Sequence, residues 1–163
     1  MPISFAEGAD YLTPGIHQAT VDEVERELVH AFPASSRRPE IFGQWLGLRS
    51  AFGAVVKFEK QWLNGSFVSR KIEPNDLDIV TFFRGDDIEA LDQPGQEALW
   101  RLASGPNNEV YPLLDSWPVV CYSPDHGAHT ISQGNRDAFE NVFFSRDDRL
   151  GPTFTKGFVE VVE

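Results

Sequence analysis

Two aspartates two residues apart, Asp76 and Asp78, are the side chains of this chain best suited to carry chemistry. They flank the start of residues 77–83, a run of Leu, Ile, Val, Thr and Phe that predicts a β-strand. Because residues two apart on a strand point to the same face, both carboxylates leave the sheet on one side. Two carboxylates so close repel each other unless a cation lies between them. The spacing therefore predicts a site for Mg2+ or Mn2+, with positions left open for phosphate oxygens.

A second polar feature, the turn Asn64-Gly65-Ser66, follows a short strand predicted over residues 61–63. Glycine allows the backbone to come close to a ligand, and a serine hydroxyl with nearby amides can hold a phosphate. An alternative interpretation is a surface hairpin whose Asp76 and Asp78 are simply solvated.

The two features together resemble the signature of the DNA polymerase β-like nucleotidyltransferase superfamily. In this chain the signature is Gly65-Ser66, nine residues, and then Asp76-Leu77-Asp78-Ile79. A narrower resemblance links residues 12–17, 64–68 and 71–76 to a bacterial family of small nucleotidyltransferase-like proteins of undefined function.

The resemblance implies an activity and a set of site residues. Members of the superfamily move a nucleoside monophosphate from a nucleoside triphosphate, here expected to be ATP, to an acceptor such as a protein or RNA. It implies metal ligation by Asp76 and Asp78, and nucleotide binding by four residues: Gly65, Ser66, Arg70 and Lys71.

Active members add a third carboxylate from a neighbouring strand, which is predicted here over residues 117–122 and contains no acid. Asp115 precedes that strand, Asp125 follows it, and Glu160 lies on the last predicted strand. Asp125 is taken as the possible third metal ligand. Without such a ligand the alternative is a catalytically weak binding protein, such as an antitoxin-like partner of a protein encoded nearby.

Composition limits the classes of protein to consider. The 163 residues suit one minimal domain over residues 1–163, and 41% hydrophobic residues are enough for a core. The net charge of -11 argues against a broad nucleic-acid surface, because Lys and Arg bind phosphate backbones. A single cysteine, no long apolar run and no signal peptide lead us to expect a cytoplasmic protein without a membrane span.

The remaining pattern predicts an α+β fold, in which a mixed, nucleotidyltransferase-like sheet packs against helices on one face. A capping box at Thr20 and Glu23 opens the first helix, which should end near residue 31. Further helices are predicted over residues 39–59, 94–104 and 137–147, with a loop at 123–135 and an edge strand at 157–162. The basic segment 35–38 is interpreted as a solvated connection, and His17 as a loop histidine bonded to backbone.

Overall fold

The protein is described by a computed structural model that covers residues 2–106, 108–144 and 156–162. The strands within these residues are β1 (Ile16–Ala19), β2 (Lys60–Asn64), β3 (Leu77–Arg84), β4 (Leu114–Cys121) and β5 (Phe158–Val162). The α-helices are α1 (Val21–Glu25), α2 (Arg37–Val55), α3 (Gly85–Glu89), α4 (Gln93–Leu102) and α5 (His129–Phe144). A π-helical turn, Arg26–His30, extends α1, and a 3-10 turn, Ser66–Val68, follows β2. Among the described helices, none has the length and apolar character needed to cross a membrane.

The strands form one mixed sheet in the order β1-β5-β2-β3-β4. The outer pairs, β1 with β5 and β3 with β4, are parallel, whereas β2 runs antiparallel to both of its neighbours. The predicted mixed sheet and α+β class are therefore confirmed, as is the placement of β4 beside β3.

One face of the sheet packs against α1, α2 and α4. Buried side chains from β3 such as Ile79 and Phe83 join Trp45 and Phe52 of α2 in the larger of two apolar clusters. The capping box is present, since the Thr20 hydroxyl accepts from the Glu23 amide and the Glu23 carboxylate accepts from the Thr20 amide. These contacts confirm the helical layer that the sequence predicts.

The other face is covered as well, which differs from the prediction that helices lie on one face. Phe143 of α5 packs with Trp62, Phe82 and Phe158 in a second apolar cluster. The reason is visible in β3, whose side chains are apolar on both faces and need cover on both. Helix α5 begins eight residues earlier than predicted, at His129, and the prediction for residues 145–147 lies outside the described residues.

The last strand is not an edge strand, because β5 lies between β1 and β2. No pattern in the sequence predicted β1, the strand that pairs with β5 on its outer side. In β1 the His17 ring is buried and lies 2.8 Å from the Pro2 carbonyl oxygen and 2.7 Å from that of Thr13. His17 is therefore bonded to backbone as predicted, but it lies in a strand rather than in a loop.

The segment 35–38 is not a solvated connection, because Ser35 and Arg38 are buried. The Glu73 carboxylate accepts from the backbone amides of Ser36 and Arg37, both at 2.9 Å, and thereby caps the start of α2. This cap fastens the middle of the loop between β2 and β3 to the helical layer.

Candidate functional site

The end of β2 and the starts of β3 and β4 bring polar side chains together. Asn64 pairs with Asp78, and Asp78 pairs on its other side with Asp115. Paired residues on neighbouring strands point to the same face, with strands about 4.8 Å apart. The three side chains therefore form a row on the face that α5 covers, where the Asn64 amide nitrogen lies 3.4 Å from the Phe143 carbonyl oxygen.

Asp115 supplies the third carboxylate that the sequence analysis did not assign. The strand was predicted over residues 117–122 from its apolar run, but β4 begins at Leu114 and so includes Asp115. A signal was present in the sequence, since Leu77-Asp78 and Leu114-Asp115 open the two paired strands with the same dipeptide. We call Asp76, Asp78 and Asp115 the carboxylate cluster.

The Asp78 carboxylate is held at an electrostatic cost. Its pKa is raised from 3.8 to about 6, and burial is the largest cause. The negative charges of Asp76 and Asp115 contribute to the rise, and the positive charge of Lys156 opposes it. A group in this state is stabilised by any cation that reaches it.

Asp115 shares this environment. Its Oδ1 atom is buried and has no hydrogen-bond partner. Burial raises the pKa of the carboxyl group, a hydrogen bond from the Trp117 side chain opposes the rise, and the charge of Asp76 adds to it. A buried carboxylate oxygen without a partner is costly, so this atom is a ready acceptor for a metal ion or a donated proton.

Gly65 brings the backbone of the turn against the carboxylate cluster. Its φ of 79° and ψ of -167° lie in a region that is essentially restricted to glycine. A Cβ atom at this position would lie 3.0 Å from Asp78 Oδ2. The close approach at Gly65 is therefore to the Asp78 side chain.

We expect Gly65→Ala to lower the free energy of unfolding by about 1–3 kcal/mol, because alanine is strained at this φ and presses on Asp78. Urea unfolding measures the change. Gly53→Ala is the matched control: Gly53 lies in α2 with no atom within 4 Å of an added Cβ, and alanine there should stabilise by up to about 1 kcal/mol. A Gly65→Ala variant as stable as the wild type would contradict the strain argument.

Ser66 closes the loop that carries Asp76. Its hydroxyl oxygen accepts from the Asn75 amide at 2.9 Å and lies 3.4 Å from Asp76 Oδ1. Lys71 Nζ donates to the Asn75 side-chain oxygen at 3.1 Å. Ser66, Asn75 and Lys71 thus form one polar wall beside the carboxylate cluster.

A cavity of about 480 Å3 opens along this wall. Its lining comprises residues from the N-terminal segment, the turn, the loop before β3 and the start of β5: Asp10, Tyr11, Gly65, Ser66, Ser69, Lys71, Asn75 and Lys156. Three of the predicted nucleotide-binding residues, Gly65, Ser66 and Lys71, therefore line one cavity. Asp10, Tyr11 and Lys156 are additions that no motif indicated.

Arg70 faces elsewhere. Its Nε donates to the Ala9 carbonyl oxygen at 3.1 Å, and its guanidinium lies 4.7 Å from the centre of the Phe5 ring. Arg70 is not among the residues that line the cavity. Of the two adjacent basic residues that were predicted to bind nucleotide, Lys71 lines the cavity and Arg70 does not.

Asp125 and Glu160 do not join the carboxylate cluster. Asp125 follows the end of β4, whereas Asp115 lies at its start, so the full length of the strand separates them. Glu160 accepts from Lys60 Nζ at 2.6 Å and from the Trp62 indole at 2.9 Å. Burial opposes its ionisation, but hydrogen bonds from Lys60, Trp62 and Gln18 outweigh that effect and lower its pKa.

The donor chemistry of the cluster fits a hard cation, since all three side chains offer carboxylate oxygens and Asp115 Oδ1 has no other partner. The three groups are neighbours rather than a preformed ligand set. Across residues 2–106, 108–144 and 156–162, no group of three or more His, Cys, Asp or Glu side chains is already arranged to hold a metal ion. A metal ion would have to draw the carboxylates together.

Comparison with known proteins gives a family without an assigned role. A family model described as "Family of unknown function (DUF6932)" matches residues 3–162 of the chain. No curated protein and no solved structure matches the chain.

Proposed function

The chain belongs to the Family of unknown function (DUF6932), and we propose that it is a metal-dependent nucleotidyltransferase. Its reaction would transfer a nucleoside monophosphate from a nucleoside triphosphate, with ATP the first to test, to a protein or RNA acceptor. One observation carries the proposal: Asp115 lies directly opposite Asp78 on the neighbouring parallel strand, on the same face. Asp115 would thus be the third carboxylate that this chemistry uses, beside Asp76, Asp78 and the Gly-Ser turn.

The turn and the loop would bind the phosphates. Gly65 and Ser66 border the cavity, and the ammonium group of Lys71 is held at its wall by Asn75. Backbone at a glycine and a lysine ammonium are suited to bind phosphate oxygens. A triphosphate bound in this way would lie next to Asp76, whose loop Ser66 closes.

The carboxylate cluster would hold Mg2+ or Mn2+. When bound, the metal supplies Lewis-acid stabilisation of charge on the phosphoryl group and on the leaving pyrophosphate. The acceptor oxygen forms a bond to the α-phosphorus, and the bond from that phosphorus to the oxygen bridging to the β-phosphate breaks. The acceptor proton would go to Asp115, through the carboxylate oxygen that the metal does not hold, because burial raises the pKa of this carboxyl group.

A second candidate function is a nucleotide-binding protein without transferase activity, such as an antitoxin-like module. The observation that favours it is that the described residues contain no preformed group of three metal ligands. In that case Asp76 and Asp78 would hold at most one metal ion loosely, and the cavity would serve binding alone.

The test is incubation of the protein with α-labelled nucleoside triphosphates, Mg2+ and host lysate. We expect label on a protein or RNA, and we expect its loss in Asp76→Asn and Asp115→Asn, since each removes one carboxylate of the cluster. Asp125→Asn is the matched control and should transfer label like the wild type, because Asp125 is exposed at the other end of β4.

Failure to transfer any of the four nucleotides, in lysate and with the protein encoded nearby present, would overturn the transferase. Nucleotide binding that persists without transfer would then favour the binding module. Equal transfer by the wild type and Asp115→Asn would remove Asp115 from the site and the main support of the proposal with it.

A further inference from the structure

Two of the four lysines in the chain line the cavity beside Ser66. Lys71 belongs to the loop before β3, and Lys156 lies two residues before β5. The whole chain has a net charge of -11. Within the lining the two ammonium groups outnumber the one carboxylate, that of Asp10. This local excess of positive charge in an acidic protein points to an anionic ligand.

The two ammonium groups are held on separate supports. Lys71 Nζ donates to the Asn75 side-chain oxygen at 3.1 Å. Lys156 Nζ lies 5.7 Å from the centre of the Tyr11 ring, within the range of a cation–π contact. Tyr11 is itself fixed, since its backbone forms an antiparallel bridge with Ser69. Two cations on separate supports suit a ligand with more than one anionic group.

We propose that Lys156 is a phosphate-binding residue that, together with Lys71, selects polyphosphates over monophosphates at this cavity, with Tyr11 as its positioning residue. The inference rests on the proposed function, and it assigns the binding of the substrate's phosphate chain to two residues that the proposed function does not use, Lys156 and Tyr11. Gly65 and Ser66 alone would bind one phosphate group, and Lys156 adds the binding that a longer chain of phosphates requires.

Lys156 also links the two parts of the site. It lines the same cavity as Gly65, and the Gly65 backbone lies against the Asp78 side chain. A polyphosphate bound to Lys156 and Lys71 would therefore lie beside the carboxylates that are proposed to hold the metal ion.

The test is calorimetric titration of the full chain with inorganic tripolyphosphate and with inorganic phosphate, without metal or nucleoside. We expect the wild type to prefer tripolyphosphate. Lys156→Gln should weaken tripolyphosphate binding about 10- to 100-fold, the effect of one lost charge-assisted hydrogen bond, and should change phosphate binding little. Lys156→Arg should retain most of the preference, since it keeps the charge.

Lys57→Gln is the matched control, because it makes the same charge change at an exposed lysine that lines a different cavity. It should bind tripolyphosphate like the wild type. Tyr11→Leu should weaken tripolyphosphate binding severalfold, while Tyr11→Phe keeps the ring and should bind normally.

Wild-type binding of tripolyphosphate by Lys156→Gln would overturn the inference, and so would a wild type that binds tripolyphosphate no better than phosphate. The outcome is separable from that of the proposed function. Lys156-dependent tripolyphosphate binding with no label transfer would keep the inference and remove the transferase. Label transfer with a tripolyphosphate affinity that does not depend on Lys156 would keep the transferase and overturn the inference about Lys156.

Discussion

Replacement of Arg38 by methionine is expected to destabilise the protein by about 3–5 kcal/mol, the largest stability loss that we expect from one substitution. The Arg38 side chain is fully buried and donates to four backbone carbonyl oxygens at 2.6–2.8 Å. Those carbonyls belong to Leu28, Phe67, Ser69 and Lys71. Methionine fills similar space but leaves all four acceptors without their donor.

The Arg38 guanidinium also lies 3.7 Å from the centre of the Phe32 ring. Burial lowers the pKa of Arg38 to about 10, with the charge of Glu73 opposing that effect, so the group remains charged at neutral pH. Three of its four acceptors lie between Phe67 and Lys71, the segment that leads from the Gly65 turn to the cavity lysine. Loss of Arg38 should therefore loosen the polar wall of the cavity as well as the core.

Thermal unfolding measures the effect of Arg38→Met, which should lower the melting temperature by roughly 10 °C or more. Arg37→Met is the matched control, since the Arg37 side chain is 42% exposed and, among the contacts described, pairs only with the exposed Glu40. It should change stability by about 0.5 kcal/mol or less. A melting temperature of Arg38→Met within a few degrees of the wild type would show that the four hydrogen bonds contribute little.

Replacement of Asp78 by asparagine is expected to stabilise the metal-free protein by up to about 3 kcal/mol at pH 8. The pKa of Asp78 is raised in the folded state to about 6 from 3.8. The folded protein then binds the Asp78 proton more tightly than the unfolded chain, so the contribution of Asp78 to stability is greatest below pH 3.8. That contribution is lost as the pH rises to about 6. Asparagine does not titrate, so the Asp78→Asn variant keeps its stability over the same pH range.

Urea unfolding of both proteins at several pH values measures this effect. The two free energies of unfolding should differ little near pH 3.5 and diverge as the pH rises to 6–7. Mg2+ with nucleotide should raise the melting temperature of the wild type and not that of Asp78→Asn, because a ligand of the native state stabilises it. Asp125→Asn, the control, should match the wild type throughout. A constant difference between Asp78→Asn and the wild type across the pH range would contradict the assigned pKa.

The part of the site that the sequence predicts is the part encoded by neighbours in the chain. Asp76, Asp78, Gly65 and Ser66 fall within one hairpin, so strand alternation and the flexibility of glycine predict their arrangement. Lys156 lies 78 residues beyond Asp78 in the sequence, and only the position of β5 in the sheet brings it to the cavity. No local pattern carries that information.

The difference between local and distant contacts also explains which parts of the fold were predicted wrongly. The helices α2 and α4 follow from apolar spacing and were predicted to within a few residues. The position of β5 could not be predicted from the spacing of apolar residues, since it depends on pairing with β1 and β2, which are distant in the sequence. Arg38 was misinterpreted for a related reason: a basic loop is usually solvated, and burial of a guanidinium requires acceptors from distant segments.

The position of β5 also has a consequence for how the molecule is made. The carboxylate cluster and the Gly65 turn can form once β2, β3 and β4 have left the ribosome. Strand β1, although synthesised first, has no sheet partner until β5 arrives, and until then β2 presents an unpaired edge. Such edges recruit other chains, so we expect a chain in which β5 has not yet paired to be prone to aggregation. Insertion of β5 closes that gap and in the same step delivers Lys156 to the cavity.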